Sequence, residues 1–142
     1  MTWEKITVFN TSAPFGIESS GAIYYLKVLL DENHDFIRDR LEFIEKEEMK
    51  KLGNFPIVSN IRKLKDGKDI LRVRIKTFKN RKLIKMNYDK KYNKEDYLMT
   101  IDELHIDTKI NVKFSIGNGY IFQIDGENKF GLNITVDEVT IL

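Results

Sequence analysis

Ile70-Leu71-Arg72-Val73-Arg74-Ile75-Lys76 alternates apolar and cationic side chains residue by residue. Successive side chains of a strand point to opposite faces, so this order puts Leu71, Val73 and Ile75 on one side and Arg72, Arg74 and Lys76 on the other. The apolar row demands a core and the cationic row demands solvent or an anion. A half-buried β-strand satisfies both.

Working outward, the same pattern recurs. Lys82–Tyr88 places Ile84, Met86 and Tyr88 in alternation, and Lys109–Ile116 does so with Ile110, Val112, Phe114 and Ile116. Gly117-Asn118-Gly119 predicts a tight turn returning the chain through Tyr120–Ile124 as a hairpin partner. Asp125-Gly126 predicts the next turn, before strands over Phe130–Val136 and Val139–Leu142. On the N-terminal side, Ile6–Phe9 and Ala22–Leu30 read as strands joined through Pro14, Gly16 and Gly21.

One segment has helical period. Ile37, Leu41, Ile44 and Leu52 recur at near-helical spacing, with Phe36, Phe43 and Met49 widening the apolar face. Asp31 or Asn33 supplies an N-terminal cap, Lys50-Lys51 complements the dipole at the C-terminus, and Gly53 ends the helix. The expected fold is therefore mainly β with one helix, a small antiparallel barrel or sandwich formed by residues 1–142 as one domain.

Charge is sorted by position. Arg62–Lys94 carries 14 Lys/Arg against three Asp in a chain whose net charge is +2. The flanks are acidic: residues 31–51 hold 8 Asp/Glu against 5 Lys/Arg, and residues 96–142 hold 8 against 3. A basic stripe on a folded surface is the electrostatic footprint of a polyanion binder. Arg72, Arg74 and Lys76 stand about 6.5–7 Å apart along their strand, close to the phosphate spacing of a single nucleic-acid strand. Lys79, Arg81, Lys82 and Lys85 extend the row around a hairpin. The bland counterpart is a solvated face whose cations blunt a sheet edge.

The stretch Asp89–Tyr97 reads as a loop. With Tyr88 before it, its Lys90, Lys91 and Tyr92 interleave ammonium groups that track a backbone with rings that stack on unpaired bases. Trp3, Phe78, Tyr120 and Phe122 read as core or edge packing. The helix, with its acidic outer face, is expected to lie away from any nucleic-acid groove.

Several chemistries are excluded. The chain has no cysteine, hence no disulfide, thiolate metal site or thiol nucleophile. It contains neither a nucleophile elbow nor a phosphate-binding glycine loop, and no cofactor is implied. Glu103, His105 and Asp107 alternate on one strand face, but His34, the other histidine, is far off in sequence. An acidic surface turn is the better reading, so no metal and no enzyme is expected. No leader or membrane-spanning run is legible, and a soluble, cytoplasmic protein is expected. Usage rich in Lys, Asn and Ile, with only Ala13 and Ala22 as alanines, is that of an A+T-rich coding sequence.

The segment Leu71–Lys76, with Leu104, Ile110-Asn111-Val112-Lys113-Phe114, Gly117–Gly119 and the run from Leu132 to Val139, resembles the OB-fold single-stranded-DNA-binding proteins of large cytoplasmic DNA viruses. The resemblance covers roughly the C-terminal half. It implies an OB-like barrel that protects single-stranded DNA in viral replication within the host cytoplasm, with Arg72, Arg74 and Lys76 as the contact row. A simple OB barrel carries its helix between the third and fourth strands, whereas the helical segment here precedes the basic strand. The competing expectations are RNA as ligand, and a β-sandwich structural module whose basic face binds an acidic protein or pairs copies of the chain into a homo-oligomer.

Overall fold

The computed structural model describes residues 3–20, 23–78, 81–83, 85–88 and 108–142, with backbone alone for 19–20, 76–78, 81–83 and 85–88. The strands are β1 (Glu4–Thr11), β2 (Ile17–Ser20), β3 (Ile23–Leu30), β4 (Ile61–Lys63), β5 (Asp69–Phe78), β6 (Arg81–Leu83), β7 (Lys85–Tyr88), β8 (Ile110–Ile124) and β9 (Glu127–Ile141). The helix α1 (Asp35–Leu52) follows a short 3-10 turn, Glu32–His34.

The predicted alternation holds where it is strongest. Leu71, Val73 and Ile75 of β5 are buried, as are Ile110, Val112, Phe114 and Ile116 of β8. They meet Leu26 and Val28 of β3, Ile6 and Val8 of β1, and Phe130, Ile134 and Val136 of β9 in one core.

The strands pair in the order β1-β8-β9-β5-β3-β2, with β4 and β6 added to β5 and β7 to β9. The sheet is mixed and not purely antiparallel, which corrects the expectation. β5 joins β9 in parallel at Arg74↔Thr135, and β7 continues along the same edge of β9 in parallel from Lys85↔Glu138 to Tyr88↔Ile141. The ladder does not close. At one place β3, next to the end strand β2, touches the end of β1: the Leu29 N–H donates to the Ser12 carbonyl at 3.0 Å, and the Thr11 hydroxyl donates to the Leu29 carbonyl.

The glycine pair at 117 and 119 makes no turn, contrary to the sequence reading. β8 runs straight through it and the chain reverses at Asp125-Gly126, both at positive φ (51° and 80°). That pair of left-handed residues matches the twist of a two-residue hairpin. At the glycines β8 bulges instead: Ile116 pairs with Ile134 but Gly119 with Leu132, three steps against two. A side-chain carbon on Gly119 would sit 2.4 Å from the Phe130 ring, so only glycine passes there. A second shift between Lys113↔Glu138 and Phe114↔Val136 keeps Val136 and Val139 both buried. It also merges the two expected C-terminal strands into β9.

In the helix, Ile37, Leu41, Ile44 and Glu48 form the buried stripe. Leu52 does not join the stripe and Phe36 and Phe43 do not widen it: they are 42%, 50% and 47% exposed. Phe36 and Phe43 each lie one residue, hence about 100°, off that stripe, and the Arg40 guanidinium covers the Phe43 ring at 5.0 Å. Asp31 caps the 3-10 turn by accepting from the Asn33 N–H at 2.8 Å, while His34 Nδ1 accepts from the Asp31 N–H at 3.0 Å. Its Nε2 therefore donates to the Phe9 carbonyl at 3.0 Å, so this buried histidine is structural. Arg38 bonds Asp35 and Asp69, and Arg40 bonds Glu4, fastening the helix to β5 and β1. Gly53, at φ 118°, ends the helix and donates to the Met49 carbonyl at 2.9 Å.

Glu48 is the charged side chain that the helix buries, at 3% exposure. Its carboxylate accepts from the Gly119 N–H at 2.9 Å and pairs with Lys51 at 3.3 Å. Burial pushes its pKa up, but the Gly119 amide, the Trp3 indole and Lys51 together outweigh this and hold it below the ordinary 4.5. A carboxyl with a depressed folded pKa stabilises the fold above its unfolded value and loses that contribution as pH falls through the folded one. Urea melts below about pH 4.5 are therefore expected to show Glu48→Gln losing less stability with acid than the wild type. Parallel losses in the two proteins would rule that linkage out.

Candidate nucleic-acid interface

β3 and β5 turn their outer faces to a groove of about 390 Å³. Its lining combines Arg62, Arg72 and Arg74 with Tyr25, Tyr120 and Phe122 and, among the described residues, contains no carboxylate. Alternation builds the first wall. With Leu71, Val73 and Ile75 held in the core, Arg72 and Arg74 must project outward from β5. Leu26 and Val28 fix β3 likewise, so Tyr25 and Lys27 project outward opposite Arg74 and Arg72.

The Arg72 guanidinium lies 3.6 Å from the centre of the Tyr25 ring. Such stacking holds the charge in place without neutralising it. The second wall is the segment before β4. Asn60 brackets Arg72, accepting from its N–H at 2.8 Å and donating its side-chain amide to its carbonyl at 3.2 Å. This sets Arg62, which is exposed, beside the β5 row.

The third wall is aromatic. Tyr120 and Phe122 of β8 lie with ring centres 5.4 Å apart at 37°. Both belong to the face that the core does not use. Tyr120 pairs across to Gly131, where an added carbon would come 2.7 Å from the Tyr120 ring and 3.1 Å from Phe122. The bare Gly131 backbone is what lets Tyr120 lie down over β9, 44% exposed.

Electrostatics separates these arginines from the others. Arg38 and Arg40 are committed to carboxylates of the fold. Among the described residues, Arg62, Arg72 and Arg74 form no ion pair. Lys27, at the groove's margin, is held by Glu18 at 3.0 Å and covers the Phe15 ring at 5.2 Å. A second depression of about 390 Å³, by Asn10–Ser12 and Asp69, mixes Asp31, Glu32 and Asp69 with cations and has no such sorting.

Of the residues expected from sequence, the structure brings Arg72 and Arg74 together in one groove. Lys76, Arg81, Lys82, Lys85 and Tyr88 are described by backbone alone. The pairings Lys76↔Leu83, Thr77↔Lys82 and Phe78↔Arg81 carry β5 into the expected hairpin. Lys85 and Tyr88 sit in β7, on the edge of β9. Lys79, Lys90, Lys91 and Tyr92 lie outside the described residues, as do Glu103, His105 and Asp107. Among the described residues no group of three His, Asp or Glu is placed to hold a metal ion. Nor among them is any helix long and apolar enough to cross a membrane.

Tyr25, Asn60, Arg62, Tyr120 and Phe122 were not singled out as contacts by the sequence reading. Tyr25 was legible from its alternation with Leu26 and Val28. Tyr120 and Phe122, read from sequence as core or edge packing, line the groove because the bulge at 117–119 reverses which parity of β8 faces inward. No protein-family model and no curated protein matches this chain.

Proposed function

We propose that the protein binds single-stranded nucleic acid in this groove, with single-stranded DNA of the kind exposed in replication as the ligand. The observation that carries the proposal is a groove that gathers three arginines and three rings with, among the described residues, no carboxylate in its lining and no ion pair to those arginines. Guanidinium groups meet phosphates and stack on bases, and rings take the flat faces of bases that a duplex keeps covered. Neither interaction depends on base identity, which suits sequence-tolerant binding.

The strand order supports an OB-like reading of the fold. Taking the long strands alone, β1, β3 and β5 follow one another, and β8 returns over a long connection to lie beside β1. With β1 and β3 meeting at Thr11, Ser12 and Leu29, the spatial order β8-β1-β3-β5 is that of a Greek key. β9 then links β8 to β5. An OB fold is a partly open five-stranded Greek-key barrel that takes oligonucleotides on the face of its second and third strands, the places held here by β3 and β5. The helix falls between those two strands, a departure from the simple OB arrangement.

Fluorescence anisotropy with labelled oligo(dT), duplex DNA and RNA at several salt concentrations tests the proposal. Expected is binding to oligo(dT) well above duplex, with log K falling against log salt at a slope of about −2, as three neutralised phosphates of a single strand require. Equal binding of RNA widens the ligand to single strands of either sugar. Failure with all three at low salt overturns the reading and leaves an acidic protein as the partner of the basic face.

A further inference from the structure

A carboxylate buried to 3% exposure is costly, and nothing in the helix requires one at position 48. Its partner explains it. Glu48 reaches from α1 across 71 residues of sequence to the N–H of Gly119, at 2.9 Å. Gly119 is the residue at which β8 resumes its pairing after the bulge, and the next residue is Tyr120. Glu48 Cβ also stands 3.2 Å from where a Gly119 side chain would begin, so the helix abuts the strand there.

The bulge decides what the groove contains. Before it, the even-numbered residues Val112, Phe114 and Ile116 face the core. Continued without a break, that register would send Tyr120 and Phe122 inward as well. The extra residue reverses the parity, so that Ile121 pairs with buried Phe130 while Tyr120 and Phe122 turn outward over Gly131 and Lys129. A bulge leaves amides without a ladder partner and is sustained only where something else accepts them.

We infer that Glu48 is a positioning residue for the nucleic-acid site: by accepting from the Gly119 N–H it holds the β8 bulge that presents Tyr120 and Phe122 to the ligand. This rests on the groove being the single-strand site. What matters at position 48 is the reach of an acceptor to Gly119 and not the negative charge, which would repel phosphate.

Two near-isosteric variants separate these roles. Glu48→Gln keeps an acceptor oxygen at the same reach and drops the charge. Glu48→Asp keeps the charge and withdraws it by one methylene. Anisotropy with oligo(dT) at fixed salt is expected to show E48Q binding within about twofold of wild type and E48D losing fivefold or more, the low end of what one stacked base contributes. The salt slope should be unchanged in both, since the arginines are untouched. In a double-mutant cycle, E48D and Tyr120→Ala should be non-additive, while E48D and Arg74→Ala should add. A general loss of structure would weaken all contacts together and would not single out Tyr120.

Should E48D fold too poorly to assay, the Tyr120 ring resonances in E48Q serve instead, expected at their wild-type shifts. Displaced resonances overturn the inference. Wild-type binding equalled by E48D, or an E48Q that binds worse than E48D, also overturns it and leaves the groove intact as the site. Absence of any wild-type binding removes the groove reading and the inference with it.

Discussion

Replacing Arg72 and Arg74 together by glutamate is expected to lower affinity for a single-stranded oligonucleotide at least about tenfold and to flatten its salt dependence, if the groove is the proposed site. Both side chains project from the outer face of β5 into the groove, and among the described residues no carboxylate lines it and neither arginine is paired with an acidic residue. The substitution therefore breaks no internal ion pair. It removes two phosphate partners and sets two negative charges where a polyanion would lie. The fold should survive, because Leu71, Val73 and Ile75 on the opposite face carry the burial. The structural loss is that of the Arg72 stack on Tyr25, roughly 0.5–1 kcal/mol at a partly exposed site. Anisotropy and a thermal melt on the same preparation check both halves. Undiminished binding by a folded double variant would show that the ligand lies elsewhere.

Phe130→Ala lowers unfolding free energy by about 3–5 kcal/mol, the usual cost of emptying a fully buried phenylalanine site. Phe130 is wholly buried, and its ring fills the space left open by Gly119. Its backbone is equally engaged. The Phe130 N–H donates to the Pro56 carbonyl and its carbonyl accepts from the Val58 N–H, both at 2.8 Å. That pairing docks the segment leading to Asn60 and Arg62, so the cavity opens beneath one wall of the groove and under the bulge on the other. Urea denaturation measures the loss. A cost below about 1 kcal/mol would mean that the neighbouring strands collapse into the space.

Much of the architecture was legible in local pattern. Expected strand 70–76 lies inside β5, expected helix 36–52 nearly coincides with α1, and the turn at Asp125-Gly126 is where it was read. Each rests on a period or on φ preferences, which short stretches of chain set for themselves. The misreadings occur where a distant residue decides. Gly117-Asn118-Gly119 has turn composition, yet Phe130 and Glu48 close on Gly119 and the chain bulges through. Asp137-Glu138 looks like a break between strands, yet a register shift absorbs it.

The candidate site divides along the same line. Arg72, Arg74 and Lys76 were read as a row because a strand with one apolar face must turn its other face outward. Which arginines are free was not readable. Arg38 and Arg62 look alike in sequence, but Asp69 lies within reach of the first and, among the described residues, no carboxylate lines the groove of the second.

By itself, then, the sequence determined the β-rich class, the helix, the core rows and the segregation of positive charge. All of these are set by neighbours a few residues apart. Tertiary structure decided the mixed pairing, the fate of each charge and the outward turn of Tyr120 and Phe122. A bulge shifts parity by one residue at little local cost, so its place is chosen by contacts such as Glu48 to Gly119, across 71 residues of chain.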